Sequence, residues 1–220
     1  MISLRDAALA YGDRTLWRGL DLDVAAGEFL VVLGPNGSGK TSLLKVLLGL
    51  RRLTAGTVTV NGRPPRRGSD LIGYVPQTKS VAPHTPLRAR DLVRLGIDGH
   101  RWGPRRPRPE TRRRVETVLR DVGAAPFADV PLDLLSGGEL QRVRVAQALA
   151  ADPSILLCDE PLLSLDVEHQ RIVADLAGRR CREHGTAVVF VTHEAEPVLP
   201  LADRVLDFGG VRGGAEVGAA

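Results

Sequence analysis

The stretch "EFLVVLGPNGSGKTSLLKVLLGL", residues 28–50, decides the fold. It opens with an unbroken apolar run of strand length, "EFLVVL". It closes on "SLLKVLLGL", whose apolar residues recur at helical spacing and whose Gly49 is a natural stop. Between them "GPNGSGKT", residues 34–41, satisfies G-x-x-x-x-G-K-[ST] in full. Gly34, Gly37 and Gly39 let the backbone curl until successive N–H groups point inward at phosphate oxygens. Lys40 is placed to reach the β- and γ-phosphates, and the Thr41 hydroxyl to ligate Mg²⁺. A strand, this loop and a helix, in that order, predict a nucleoside triphosphate site.

Working outward, the segments on either side have the character of β-structure. "ISLRDAAL" (residues 2–9) and "LDLDV" (residues 20–24) show period-2 alternation, and "GTVTVNG" (residues 56–62) ends in an Asn-Gly turn signal. Residues 71–75, "LIGYV", read as a further strand. The middle of the chain, residues 83–135, reads as a helical insertion with Pro/Arg-rich interruptions, of which "RWGPRRPRPETRRR" is the most irregular, and with a helix over 110–122. The last third alternates: helix 139–151, strand 155–158, helix 167–181, strand 187–191. Helices alternating with strands predict a mainly parallel sheet. Residues 1–208 are expected to form one α/β domain, and the Gly/Ala-rich residues 209–220 a disordered tail with little to pack.

Composition adds exclusions. With 43% hydrophobic and 25% charged residues, the 220-residue chain is of ordinary globular make-up. Its longest apolar runs, "FLVVL" and "AVVFV", are too short to cross a bilayer, and no signal segment opens the chain, so a cytosolic setting is expected. Cys158 and Cys181 show neither metal-ligand spacing nor a redox pair. Lys40, Lys45 and Lys79 are the only lysines; arginine carries the rest of the positive charge, a compositional bias that also favours phosphates or anionic lipid.

Two further motifs carry chemistry. In "ILLCDE", residues 155–160, four apolar residues make a buried strand and Asp159 emerges at its C-terminal end, where α/β sheets hold their ligands. Asp159 is suited to hold Mg²⁺, directly or through water, and Glu160 to orient or deprotonate a water attacking the γ-phosphate. The second motif, "LSGGELQRV" (residues 135–143), runs Ser136-Gly137-Gly138 into a helix. Taken alone it is a helix N-cap; its free N–H groups also make it a potential anion cradle.

The phosphate loop, "LSGGELQRV" and "ILLCDE", in this order, resemble the ATP-binding-cassette ATPases, and the order of features covers nearly the whole chain. The resemblance implies a P-loop NTPase (RecA-like) core with a mainly parallel sheet, an N-terminal antiparallel β subdomain and an inserted helical subdomain. It extends the ATP-binding set to Pro35, Asn36, Ser38 and Ser42. It makes Leu135, Ser136, Gly137, Gly138 and Glu139 a signature that closes over ATP bound to a second copy, so that a homodimer sandwiches two nucleotides. Tyr11, in "LAYGDRTL", resembles the aromatic that stacks on adenine. Gln77, in "YVPQ", resembles the glutamine that touches Mg²⁺ or the attacking water. Asp166 matches the loop that crosses the dimer interface, and His193, ending "AVVFVTH", the switch histidine that reaches the γ-phosphate.

The implied activity is Mg²⁺-dependent hydrolysis of ATP to ADP and phosphate, coupled to transport through a separate integral-membrane permease. The protein is then expected at the cytoplasmic face of the membrane, with residues 78–96 as the docking surface and an extracytoplasmic solute-binding protein as a further partner. "DEPLLSLD", "PLRARDLVRLG" and "VTHEAEPVLPLADRVL" look like the branch that imports zinc, manganese or iron-type metals; another solute is the alternative. Many importer ATPases of this branch continue past the last strand, where this chain has "FGGVRGGAEVGAA". Soluble cassettes acting on nucleic acid or ribosomes form a third reading. The chain lacks their double cassettes, coiled-coil inserts and zinc modules, and its Arg-rich stretch lacks interleaved aromatics, so no direct nucleic-acid contact is expected.

Overall fold

In the computed structural model, residues 1–77, 82, 85–99, 108–163, 165–193, 195–209 and 216–219 are described, the last four by their backbone. Two sheets organise them. The first is antiparallel, in the order β2-β1-β4, from β1 (Ile2–Tyr11), β2 (Arg14–Val24) and β4 (Ala55–Val60). The second runs β5-β6-β7-β3-β8-β9, from β3 (Phe29–Leu33), β5 (Ile72–Val75), β6 (Ile155–Asp159), β7 (Ala187–Val191), β8 (Arg204–Asp207) and β9 (Glu216–Ala219). Every pair in it is parallel except β8–β9.

The unbroken apolar runs have a direct cause: the central strands are buried on both faces. Phe29 and Val31 of β3, Leu156 and Cys158 of β6, and Val188 and Phe190 of β7 join one core. Their alternates Leu30, Val32, Ile155, Leu157, Val189 and Val191 join the other. The second core lies against α1 (Lys40–Leu47) and the antiparallel sheet; the first holds apolar residues of α2 (Ala89–Asp98), α3 (Pro109–Asp121), α4 (Gly137–Ala150) and α5 (Val167–His184). Between β5 and α4 the described elements are α2, α3 and two short 3₁₀ turns.

Three details differ from the sequence reading. β2 begins at Arg14 rather than at residue 20, because Trp17 is fully buried and a register irregularity accommodates the positive φ of Gly19, which breaks the alternation. α5 runs three residues beyond 181 and stops at Gly185, which adopts the left-handed conformation at φ 64°. The tail expected to be disordered contains β9, antiparallel to β8 with Leu206 opposite Val217; an open strand edge supplies hydrogen-bonding partners that side-chain pattern does not announce. Residues 78–81, 83 and 84 of the expected docking surface and residues 101–107 of the Arg-rich stretch lie outside the described residues.

Candidate nucleotide site

The parallel strands β3, β6 and β7 deliver their C-terminal ends side by side, and the site is assembled there. β3 leads into the phosphate loop, where Gly34 and Gly39 take φ values of 137° and 106°. Both positions exclude a side chain: a Cβ on Gly34 would come within 2.9 Å of the Phe208 Cβ, and one on Gly39 within 2.8 Å of the Trp17 ring. The indole of Trp17, fully buried, therefore forms the floor against which the loop is pressed. Lys40, 6% exposed, donates to the carbonyls of Gly34 (2.6 Å) and Pro35 (3.1 Å), so the cation is folded back over its own loop.

Behind the loop, the Thr41 hydroxyl donates to Asp159 Oδ1 at 2.9 Å and the Tyr74 phenol donates to Oδ2 at 3.4 Å. Asp159 is 2% exposed. Burial pushes its carboxyl above the usual range, the two hydroxyl donors pull it back, and the neighbouring Glu160 raises it further. Burial, with Asp159 beside it, also pushes the Tyr74 phenol up.

Glu160 follows β6 in the left-handed region, at φ 51°, and is 7% exposed. Such a conformation is costly for a residue other than glycine and aims the side chain away from the path of the strand. Its N–H donates to the Val191 carbonyl at 2.9 Å. Its Oε2 lies 2.7 Å from Nδ1 of His193 and accepts from the His193 N–H at 3.2 Å. The ring of His193, the residue expected to reach the γ-phosphate, rests on Glu160.

A cavity of about 490 Å³ opens in front of these groups. Tyr11, Asn36, Gly37, Gly39, Lys40, Thr41, Ser42, Gln77 and Glu160 line it, which brings together most of the residues expected to act on ATP. Arg14 and Leu16 line it as well, and sequence reading had missed them; Arg14 reaches the Gly37 carbonyl at 3.3 Å from across the hairpin. Among the described residues the Ser38 hydroxyl, buried within the loop, finds no hydrogen-bond partner. An orphaned donor, a curl that no Cβ could share and a buried lysine together make a cradle suited to phosphate.

The signature residues lie elsewhere. A second hollow, of about 380 Å³, is lined by Ser136, Gly137, Gly138, Glu139, Arg142, Leu165, Asp166 and His169, and shares no residue with the first. Leu135 packs at the edge of the larger core. Ser136 caps α4: its Oγ accepts from the Glu139 N–H at 3.3 Å, while the Ser136 N–H and O–H donate to Glu139 Oε2, each at 2.8 Å. Those two donors hold the Glu139 carboxyl below its ordinary value. Asp166 caps α5 and accepts from the His169 N–H at 2.9 Å, with the His169 ring on the same carboxylate. Another residue outside the sequence reading is Gln141, fully buried, whose Nε2 donates to the Pro161 carbonyl at 3.1 Å and so ties α4 to the Pro161–Leu162 peptide, one residue past Glu160. Its signal was faint: one polar residue on the apolar side of a helix.

Comparison with known proteins matches this geometry. Residues 17–163 match the family described as ABC transporter. The chain is 38% identical over 206 residues to the zinc import ATP-binding protein ZnuC of Paramagnetospirillum magneticum, covering 94% of this chain and 72% of that protein. Among solved structures it is similar to a metal-chelate type ABC transporter in an inward-facing conformation, with a TM-score of 0.83, 28% identity, and coverage of 99% of this chain and 82% of that one. It is also similar to a dimeric ATP-binding cassette in a post-hydrolysis state bound to ADP and Pi, with a TM-score of 0.82, 27% identity and 98% coverage of both chains. With two thirds of its length inside the family match and its strand ends arranged as such a cassette requires, the chain belongs to the ABC transporter family, as an ATP-hydrolysing subunit.

Proposed function

We propose that the chain energises a metal-ion importer, working as a homodimer whose two copies enclose two ATP molecules head to tail. The carrying observation is the separation of the two hollows: a complete phosphate cavity on one side, and a signature-lined hollow sharing none of its residues on the other. A second cradle is useful only to a phosphate that arrives from another subunit. The metal solute is supported by the zinc importer and metal-chelate transporter among the similar proteins; another solute is the alternative.

In the nucleotide cavity the adenine stacks on Tyr11, and the phosphates lie in the loop from Gly34 through Pro35, Asn36, Gly37, Ser38 and Gly39, with Lys40 and Ser42 at its helical end. Lys40, already buried, exchanges its loop carbonyls for β- and γ-phosphate oxygens. The donor set also suits Mg²⁺: the Thr41 hydroxyl and the Asp159 carboxylate are hard oxygens 2.9 Å apart, with Gln77 on the same cavity. Bound there, Mg²⁺ supplies neutralisation of the charge on the transferred phosphoryl group. Glu160 takes a proton from the water that attacks the γ-phosphorus; the bond to the bridging oxygen breaks, leaving ADP and phosphate. His193 holds the Glu160 carboxylate in line. Ser136, Gly137 and Gly138 of the partner copy stabilise the same phosphate from the far side, with Leu135, Glu139 and Asp166 completing the interface.

Among the described residues no helix is long and apolar enough to cross a membrane. In this reading the work of closure passes to a separate permease, at the cytoplasmic face. An extracytoplasmic protein delivers the solute. Glu160→Gln tests the catalytic core: ATP binding persists, turnover falls about 10²- to 10⁴-fold, and light scattering finds a dimer in saturating ATP. A variant that stays monomeric there sinks the sandwich. Copurification from solubilised membranes with a multi-span permease tests the transport role, and recovery only with ribosomes or nucleic acid overturns it.

A further inference from the structure

The ring of Tyr11 is held more closely than stacking on a nucleotide requires. Its hydroxyl meets the Ser42 hydroxyl at 3.3 Å, which fixes the ring edge to the first turn of α1. The Arg51 guanidinium lies 4.0 Å from the ring centroid, over one face. Tyr11 is 40% exposed and lines the nucleotide cavity, whereas Arg51 is not among the residues lining it. The cation therefore backs the ring from outside the cavity. Arg51 is itself placed by α1: its N–H donates to the Lys45 carbonyl at 3.1 Å, just past the helix end. Among the described residues its guanidinium forms no ion pair, so the aromatic face is not a by-product of a nearby carboxylate.

We propose that Arg51 is a positioning residue for the nucleobase. A guanidinium over one face is attracted by the ring quadrupole and restrains the ring plane. Less rotamer freedom is then lost when a base arrives. The same cation draws π-density toward itself, which leaves the cavity-side face better suited to an electron-rich purine in offset stacking. Arg51 thus acts through Tyr11, on the base and not on the phosphates. This rests on the reading of Tyr11 as the adenine-stacking residue.

The test compares two probes by calorimetry, ATP and inorganic tripolyphosphate, which carries the phosphate charge without a base. Arg51→Ala, at an exposed position, weakens ATP about two- to fivefold and leaves tripolyphosphate unchanged. Arg51→Lys restores part of the ATP affinity. Equal weakening of both probes would make Arg51 a phosphate-attracting charge and overturn the proposal, as would no change in either. Tyr11→Ala separates the two layers of argument. If it weakens ATP but not tripolyphosphate while Arg51→Ala does nothing, stacking stands and the role of Arg51 falls. If Tyr11→Ala leaves the difference between the probes intact, the stacking reading fails and takes the proposal with it.

Discussion

Two helices of this chain start from glycine-rich turns, and their first turns are in opposite states. α1 has the left-handed Gly39 as its N-cap, no side-chain cap and no acidic residue in its first turn. α4 has Ser136 as its N-cap, with a capping box closed by Glu139. The first helix end is left unsatisfied and therefore open to an anion from outside; the second already carries its own carboxylate. The contrast separates a site the chain builds for itself from a helix end that is complete at rest. Ser136 can serve a phosphate only by trading away part of its contact with Glu139.

Substitutions can break or sharpen this contrast. The largest effect is expected from Gly39→Ala, where a Cβ at φ 106° meets Trp17 at 2.8 Å. Strain of about 1–3 kcal/mol falls on the loop itself, and calorimetry should find ATP affinity reduced by about 5- to 150-fold. Near-normal binding would mean that the curl is not the cradle. Gly138→Ala is expected to do the reverse. Gly138 lies in the first turn of α4 with an ordinary helical backbone, so alanine adds about 1 kcal/mol of helix propensity. The melting temperature should rise by about 2–4 °C and ATP binding should hold, while hydrolysis falls at least about tenfold because a methyl group blocks the approach of the partner's phosphate. Unimpaired hydrolysis would remove the second hollow from the mechanism.

The smallest effect belongs to Glu139→Gln. The Glu139 carboxyl is held below its ordinary value, so its cap contributes to stability above the unfolded value of about 4.3 and loses that contribution as pH falls through the lower folded one. The gap in melting temperature between wild type and Glu139→Gln should be present at neutral pH and closed in strong acid. A gap that ignores pH would show that the ionised carboxylate is not the cap.

The same contrast marks what could be read from the sequence. The phosphate loop was legible because its ingredients are contiguous: glycines, lysine and threonine act within eight residues of one another, between a strand and a helix that announce themselves. The apolar runs of β3, β6 and β7 gave the parallel sheet for the same local reason. Partnerships between distant segments were not legible. Tyr74 reaches Asp159 only because β5 and β6 pair in register, Tyr74 beside Leu157. Arg14 reaches the loop only through the β1–β2 hairpin. Glu160 and His193 were each singled out, yet their mutual contact depends on the turn at φ 51° that follows β6. β9 escaped notice because its reason for forming lies in the open edge of β8 and not in its own residues.

Gln141 gives this architecture a mechanical property. It sits five residues into the signature motif from Ser136, about 7.5 Å along the axis of α4, and its amide grips the carbonyl next to Glu160. A helix is stiff along its axis, and a fully buried amide leaves that joint little play. α4 thus joins Ser136 of one hollow to the Pro161 carbonyl, just past Glu160 of the other, through a single helix and one buried hydrogen bond. The two hollows share no wall, but they share a linkage.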